Sequence, residues 1–381
     1  MAPLKEATDA LNRAGDARKR KKNPRVERVK KSIRDYGGGR RLANRDIAYY
    51  TLYLAEYRQL LEDIRNDEDL KYIFDNELRY EYTADNRGKN NKREKQFAIR
   101  MPTYIHEFLL DEIDTVMKVR REAIRRGAAL CEARLCTRPR CTNGNTRSLA
   151  ERLLGYRNGI IKPSLTTSRN EKDEKSPDLS YRYSDGKLSS DGVGKNPGLV
   201  IEVGWSQKSS ELKKKCEWYI ENSNGWTRTV IGVDLYDLYR CYPVSKTRPK
   251  GFSKLRQIEA IEKDVANMAE ASRRRKACGK IYVWRAEIDS RTNKAIAILD
   301  ENAPTIFRDQ YGKPADRVAF QLSLEDFISA RDIERIGAFH NVDFSVKSKQ
   351  LCDIFDIALK EQVLSDRIME EAEEEEGSQE K

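Results

Sequence analysis

Two acidic residues, Asp178 and Glu202, are the side chains that the sequence places best for chemistry. Glu202 lies in the run LVIEV at residues 199–203, whose apolar members predict a buried strand. Because a buried carboxylate costs several kcal/mol unless it is paired or bound to a metal, Glu202 needs a partner. Asp178 begins the preceding predicted strand. Carboxylates on neighbouring strands can bind one hard divalent cation, so the pair predicts a Mg²⁺ or Mn²⁺ site.

A divalent cation between these acids would suit phosphodiester hydrolysis. Such an ion lowers the pKa of its bound water and neutralises the negative charge that develops around the phosphorus atom. Simpler explanations of the acidic residues and of the nearby lysines stay open. A Pro-Asp pair often begins a turn, a glutamate at a strand end is often solvated, and a lysine run such as residues 213–215 often solvates a helix face.

The elements that must position the acids follow from hydrophobic spacing. It predicts a strand over residues 179–183, an apolar strand over residues 198–203, an amphipathic helix over residues 208–222 and an apolar strand from Thr229. Another amphipathic helix is predicted to begin just after Pro102.

At these residues the sequence resembles the PD-(D/E)XK nuclease superfamily, in which a Pro-Asp pair on one strand is followed by an acid-x-lysine motif on the next. Pro177 and Asp178 match the first half, and Glu202 matches the acid of the second. Gly204 occupies the lysine position and departs from the pattern. The strand end EVGWSQ resembles that of fungal members whose Glu-x-Lys motif is degenerate, and the resemblance covers roughly residues 100–238.

The resemblance also implies substitutes for the missing lysine. Some branches carry it on the following helix with a Lys-x-x-x-Tyr spacing, which Lys215 and Tyr219 reproduce. Others place a glutamine near the strand end, where Gln207 lies. Glu107, early in the first helix, could approach the metal as a third carboxylate, although the helix dipole also favours an acid there.

The fold implied by this resemblance is α/β and restriction-endonuclease-like, a central mixed sheet flanked by helices with helical N-terminal and α+β C-terminal decorations. The implied activity is that of a Mg²⁺-dependent endonuclease acting on DNA. One alternative is a catalytically inactive nuclease-fold protein that binds nucleic acid or a protein partner, and another is an interaction module whose charges only keep it soluble. The choice of DNA or RNA, the sequence specificity and the oligomeric state stay open.

The composition suits a polyanionic partner. The 381-residue chain is 38% hydrophobic and 35% charged, with a formal net charge of +11. No apolar run approaches the ~18 residues that span a bilayer, and a signal-peptide core is lacking, so we expect no membrane association and an intracellular, nuclear or cytoplasmic location.

The 7 cysteines suit a reducing compartment. Cys131, Cys136 and Cys141 have a spacing that permits zinc, but no fourth ligand lies nearby.

Changes in composition predict four segments. Residues 1–45 are strongly basic and form either a disordered solubilising tail or an arm for nuclear import or nucleic-acid contact. Residues 46–95 show helical spacing. Residues 96–345 hold the nuclease-like domain, with a short helix over residues 149–156 and a hairpin that turns at SRTNK. Residues 346–381 form a last helix and a disordered acidic tail.

Overall fold

The computed structural model describes most of the chain, as two compact units. The described residues are 23–38, 47–83, 97–100, 103–125, 152–156, 174–183, 197–242, 254–328, 333 and 343–379. The units are Met1–Met101 and Pro102–Lys381. The three cysteines of the possible zinc site lie outside the described residues. None of the described helices is long and apolar enough to cross a bilayer.

The first unit combines helices with a small antiparallel sheet. Its elements are α1 (Pro24–Gly37), β1 (Ile47–Tyr50), α2 (Leu54–Arg65), α3 (Glu68–Tyr72), a π-helical turn (Ile73–Glu77), β2 (Arg79–Tyr82) and β3 (Phe97–Arg100). Both β1 and β2 pair antiparallel with β3. The Tyr57 ring of α2 stacks on the Tyr82 ring of β2 at 3.8 Å between centroids, so the helix packs on the sheet through aromatic side chains.

Helix α1 corrects the expectation that residues 1–45 are disordered, at least for residues 24–37. Val26, Val29 and Ile33 recur at helical spacing and are buried. The apolar stripe is narrow, and the surrounding lysines and arginines conceal it when the composition is averaged over the whole segment.

The helical spacing expected over residues 46–95 is confirmed for α2, on which Tyr57, Leu60 and Ile64 are buried, but the segment also contains β1 and β2. Tyr80 and Tyr82 are buried on β2. Both strands obtain their hydrogen-bonding partner from β3, which follows β2 only after a long polar stretch. Helical periodicity within one segment carries no information about such a distant partner.

The second unit carries the two acids. Its elements are α4 (Tyr104–Arg125), β4 (Leu153–Tyr156), β5 (Glu174–Lys175), β6 (Leu179–Tyr183), β7 (Leu199–Gly204), α5 (Ser209–Asn222), β8 (Thr229–Asp234), α6 (Tyr236–Tyr239), α7 (Lys254–Arg275), β9 (Gly279–Asp289), β10 (Lys294–Leu299), β11 (Thr305–Arg308), β12 (Val318–Ser323), a 3₁₀ turn (Leu324–Phe327), β13 (Asp343–Lys347) and α8 (Ser348–Gln379).

A mixed sheet runs through this unit in the order β10-β9-β8-β7-β6-β4, and β11 also pairs with β9. Strands β7 and β8 are parallel, and the other pairings in this sheet are antiparallel. The expected α/β class with a mixed sheet is therefore confirmed. These directions bring together, at one end of the strands, the last residues of β7 and β8 and the first residues of β6 and β9. This end of the sheet is called here the site edge.

Helices cover both faces of the sheet. On one face, Leu212, Cys216, Tyr219 and Ile220 of α5 pack against Val200, Val230 and Trp284. On the other face, apolar residues of α4, α7 and α8 join Leu199, Ile201 and Val203 in the larger core. This alternation of facing along β7 is the period of two expected of a strand, and it places Glu202 on the α5 face.

Three local predictions can be compared with these elements. The hairpin is confirmed, with β9 and β10 paired on either side of the turn. The short helix over residues 149–156 is wrong at its end, because residues 153–156 form β4 and pair with β6. The expected disorder of the acidic tail is wrong as far as Gln379, since α8 continues through a run of glutamates, which are good helix formers.

Gly198 allows the 3₁₀ turn to approach the start of β7, and we predict that Gly198→Ala lowers the free energy of unfolding. A Cβ atom there would lie 2.1 Å from the Phe327 carbonyl oxygen, which is main chain and cannot simply rotate away. The expected cost is about 1–3 kcal/mol, measured by urea unfolding. Gly38→Ala is the control, because its Cβ would meet Arg34 oxygen at an ordinary 3.4 Å. Equal, small effects of both variants would contradict the close approach.

Candidate functional site

Asp178 and Glu202 lie side by side at the site edge. Glu202 is on β7, Asp178 directly precedes β6, and these two strands pair antiparallel. Both residues are 0% exposed, and the Asp178 N–H donates to Glu202 Oε1 at 3.3 Å. The main chain of Asp178 therefore contacts the Glu202 carboxylate across adjacent strands, whereas joint binding of a cation by the two carboxylates stays a prediction.

Helix α5 supplies two partners to Glu202. Lys215 Nζ lies 2.7 Å from Glu202 Oε2, and the Tyr219 hydroxyl donates to Glu202 Oε1 at 2.7 Å. Residues four apart share one helix face, so α5 presents both side chains to the same carboxylate. Lys215 also donates to the Ser176 carbonyl oxygen at 3.3 Å. The expected reach of this lysine from the helix to the strand end is confirmed.

Asp178 is held from the sheet and from α4. The Val203 N–H donates to Asp178 Oδ2 at 2.8 Å, and His106 Nε2 lies 2.9 Å from the same oxygen. The other ring nitrogen of His106, Nδ1, lies 3.3 Å from Glu107 Oε1. Glu107 thus borders the site through His106, and its role as a third carboxylate stays a prediction.

His106 is the site residue that sequence reasoning missed. It is one of only 2 histidines in the chain and is almost fully buried, at 7% exposure. The available signal was its position in the Pro-x-x-x-His-Glu entry of α4, in the first turn and next to an acid. Gln207, which the sequence proposed, is also buried and lies in the turn between β7 and α5. Its role stays a prediction, whereas Lys215 makes the contact to Glu202.

The electrostatics of the site extend to the next residue of α5. Burial raises the pKa of the Cys216 thiol well above its ordinary value, and the negative charge of Glu202 raises it further. The positive charge of Lys215 acts in the opposite direction on the pKa of this thiol. The thiol therefore stays protonated and serves as an apolar packing group beside the charged pair.

The donor set fits a hard divalent cation in its chemistry. Asp178 and Glu202 offer carboxylate oxygens, and Mg²⁺ is often bound through one or two carboxylates while it keeps several waters. Among the described residues, no three or more His, Cys, Asp and Glu side chains are grouped as a metal-binding cluster. At a site of this kind, waters or substrate oxygens complete the coordination of the ion.

Comparisons of the chain with protein-family models, with curated proteins and with solved structures find no match.

Removal of the Lys215 ammonium should destabilise the protein, because Glu202 would stay buried without its counter-charge. We expect Lys215→Met to lower the free energy of unfolding by about 3–5 kcal/mol in chemical denaturation. The adjacent Lys214→Met serves as the control: its side chain is exposed, and its effect should stay within about 0.5 kcal/mol. Adding Glu202→Gln to Lys215→Met should recover much of the loss. A double variant no more stable than Lys215→Met would argue against the pair.

Cys216 should make the stability of the protein fall at alkaline pH. The unfolded thiol ionises at about pH 8.5, whereas the folded thiol has a raised pKa. The stabilising contribution is therefore complete below about pH 8.5 and is lost as the pH rises towards the folded pKa. We expect Cys216→Ala to reduce the decline of the unfolding free energy above pH 9 by up to about 1.4 kcal/mol per pH unit. Parallel curves for the variant and the parent protein would contradict this.

Proposed function

We propose that the chain is a metal-dependent nuclease that hydrolyses phosphodiester bonds in DNA, with Asp178 and Glu202 as ligands of Mg²⁺ or Mn²⁺. The observation that supports this most directly is the 2.7 Å contact between Lys215 Nζ and Glu202 Oε2. It brings an ammonium group to the strand end where Gly204 stands in place of the motif lysine. The two acids and a lysine are thereby assembled at one sheet edge.

The order of elements around the acids is consistent with the restriction-endonuclease-like fold that we propose. Helix α4 precedes three strands, β4, β6 and β7, that pair antiparallel, and α5 then leads to β8, which is parallel to β7. The acids lie at the adjoining strand ends of β6 and β7, flanked by helices on both faces.

Each residue of the site has a distinct role in this proposal. The Val203 N–H and the His106 ring orient the Asp178 carboxylate, and the Tyr219 hydroxyl orients that of Glu202. When bound, the cation would lower the pKa of a coordinated water. The Lys215 ammonium would place a positive charge next to the phosphate, where negative charge develops.

A specific observation favours a second candidate, a catalytically inactive nuclease-fold protein that binds nucleic acid. Both carboxylates are 0% exposed, and Lys215 and His106 already contact them. Buried acids that are each contacted by a basic side chain are also what a purely structural ion pair requires. The net charge of +11 would in that case still attract a polyanion.

Cleavage assays distinguish the two candidates. Purified protein is incubated with plasmid and with single-stranded DNA in Mg²⁺, in Mn²⁺ and in EDTA. For a nuclease, we expect cleavage in either metal but not in EDTA, and we expect Asp178→Asn and Glu202→Gln each to reduce it about 100-fold or more, a loss typical of removing key electrostatic groups. Salt-sensitive binding without cleavage in any condition would select the second candidate.

Asp326→Asn is the matched control for these variants. Asp326 is another buried acid, paired with Arg285 and accepting from the Thr229 hydroxyl at 2.7 Å. Thr229 begins β8, so this pair lies away from the site edge. Asp326→Asn should lower stability and leave cleavage per folded molecule unchanged. A loss equal to that of Glu202→Gln would show that the activity depends on folding alone.

A further inference from the structure

The C-terminal end of α7 forms an exposed cationic surface with the residue that follows α6. Helix α7 ends in the run RRRK, residues 273–276, and Arg274, Arg275 and Lys276 are exposed, as is Arg240. Arg275 Nη1 donates to the Arg240 carbonyl oxygen at 2.7 Å, which joins the two segments. These four residues, Arg240, Arg274, Arg275 and Lys276, are called here the strand-end cations.

The strand-end cations lie at the site edge. Gly204 at the end of β7 is aligned with Asp234 at the end of β8, which is in turn aligned with Lys280 near the start of β9. Lys276 precedes β9 by only a few residues, and Arg240 follows β8 through α6. Two strand spacings of about 4.8 Å separate β7 from β9, so β9 lies roughly 10 Å to the side of β7, and the cations lie beyond the strand ends on that side.

Aromatic contacts connect the end of β7 with the segment that carries Arg240. The Trp205 ring packs edge to face on Tyr239 at 5.5 Å and on Tyr242 at 5.7 Å between centroids. Arg240 lies between these two tyrosines in the chain, so the aromatic contacts place its main chain beside the end of β7.

The conformation of Lys276 argues for a role of its charge. It has a φ of 52°, a left-handed conformation in which glycine is less strained. The Ala277 N–H donates to the Ser272 carbonyl oxygen at 2.9 Å, and the Lys276 N–H donates to the Arg273 carbonyl oxygen at 3.3 Å. These two hydrogen bonds form a helix C-terminal motif in which glycine is usual at the position of Lys276. Cations near a helix C-terminus interact favourably with its dipole, but Arg273 to Arg275 already supply that interaction in the last turn.

Ion pairing also distinguishes the strand-end cations from their neighbours. Arg273 pairs with Glu270 at 2.8 Å, and Lys280 pairs with Asp237 at 2.6 Å. Within the part of the chain that the structure describes, no carboxylate forms an ion pair with any of the four strand-end cations. Because these side chains are also exposed, their positive charge is accessible to the solvent.

We propose that the strand-end cations bind the phosphodiester backbone of a nucleic acid and hold it alongside the Asp178 and Glu202 carboxylates. The inference rests on the proposed nuclease function and identifies the surface that would position the substrate. Exposed arginine and lysine side chains recognise phosphates without reading bases, so the contact would be independent of sequence.

Binding is measured in EDTA, which prevents metal-dependent cleavage, with fluorescently labelled DNA and RNA duplexes of mixed sequence. We expect Arg274→Ala/Lys276→Gly to weaken binding and to reduce the slope of log affinity against log salt by about 2, since each lost phosphate contact removes roughly 0.9 from that slope. Loss with both duplexes, or with DNA alone, supports a backbone surface. An unchanged slope with both would overturn it.

The control removes the same number of charges at the opposite edge of the sheet. Arg291 and Lys294 are exposed and lie at the β9–β10 turn, away from the site edge. Arg291→Ala/Lys294→Ala should leave the salt slope unchanged. An equal reduction of the slope by this variant would mean that net charge, and not position, determines the affinity, and the proposal would fail.

The single variant Lys276→Gly distinguishes the effect of losing the charge on binding from any effect on the stability of the fold. Because glycine suits the left-handed conformation, this variant should unfold at the same or a higher temperature than the parent while it binds the duplex more weakly. Unchanged binding by a more stable protein would remove Lys276 from the surface. Cleavage in Mg²⁺ is tested separately. Weaker binding by the variants, without any cleavage by the parent, would retain the surface and reject the nuclease. Cleavage by the parent, with unchanged binding by the variants, would retain the nuclease and reject the surface.

Discussion

The burial of two neighbouring carboxylates at one sheet edge is the constraint on which the site depends. Asp178 and Glu202 are fully removed from water, and such burial is tolerated only because each acid has polar or charged partners. Those partners come from opposite faces of the sheet: α5 brings Lys215 to one acid, and α4 brings His106 to the other. The docking of both helices is therefore coupled to the charge state of the same two side chains.

The signs of the charges change from the interior of this edge to its surface. Inside, the Lys215 ammonium contacts Glu202 and the His106 ring contacts Asp178. A cation bound there would compete with Lys215 for the oxygens of Glu202, because both interact with the same charge over a few ångströms. Outside, the strand-end cations present the opposite sign to the solvent. Carboxylates inside and exposed cations outside fit the proposal of a metal ion at the acids and phosphates at the rim.

Local patterns predicted the elements around the acids well, because those patterns are complete within each segment. The alternation and apolar runs of β6, β7 and β8 and the helical spacing of α5 each lie within a short window. The predictions failed where the deciding partner is distant in sequence. Strands β1 and β2 depend on β3, and β4 depends on β6, so their own spacing could not reveal them.

For the site, the sequence by itself determined that Glu202 must be buried and must have a partner, since its strand neighbours are apolar and an isolated buried carboxylate is too costly. It also placed Lys215 on the side of α5 that meets the sheet, through the period of the helix. Only the tertiary structure decided that His106 contacts Asp178, and that Arg240 lies beside Arg275. These contacts join residues that are far apart in the chain, and they depend on how helices dock on a sheet, which no local pattern encodes.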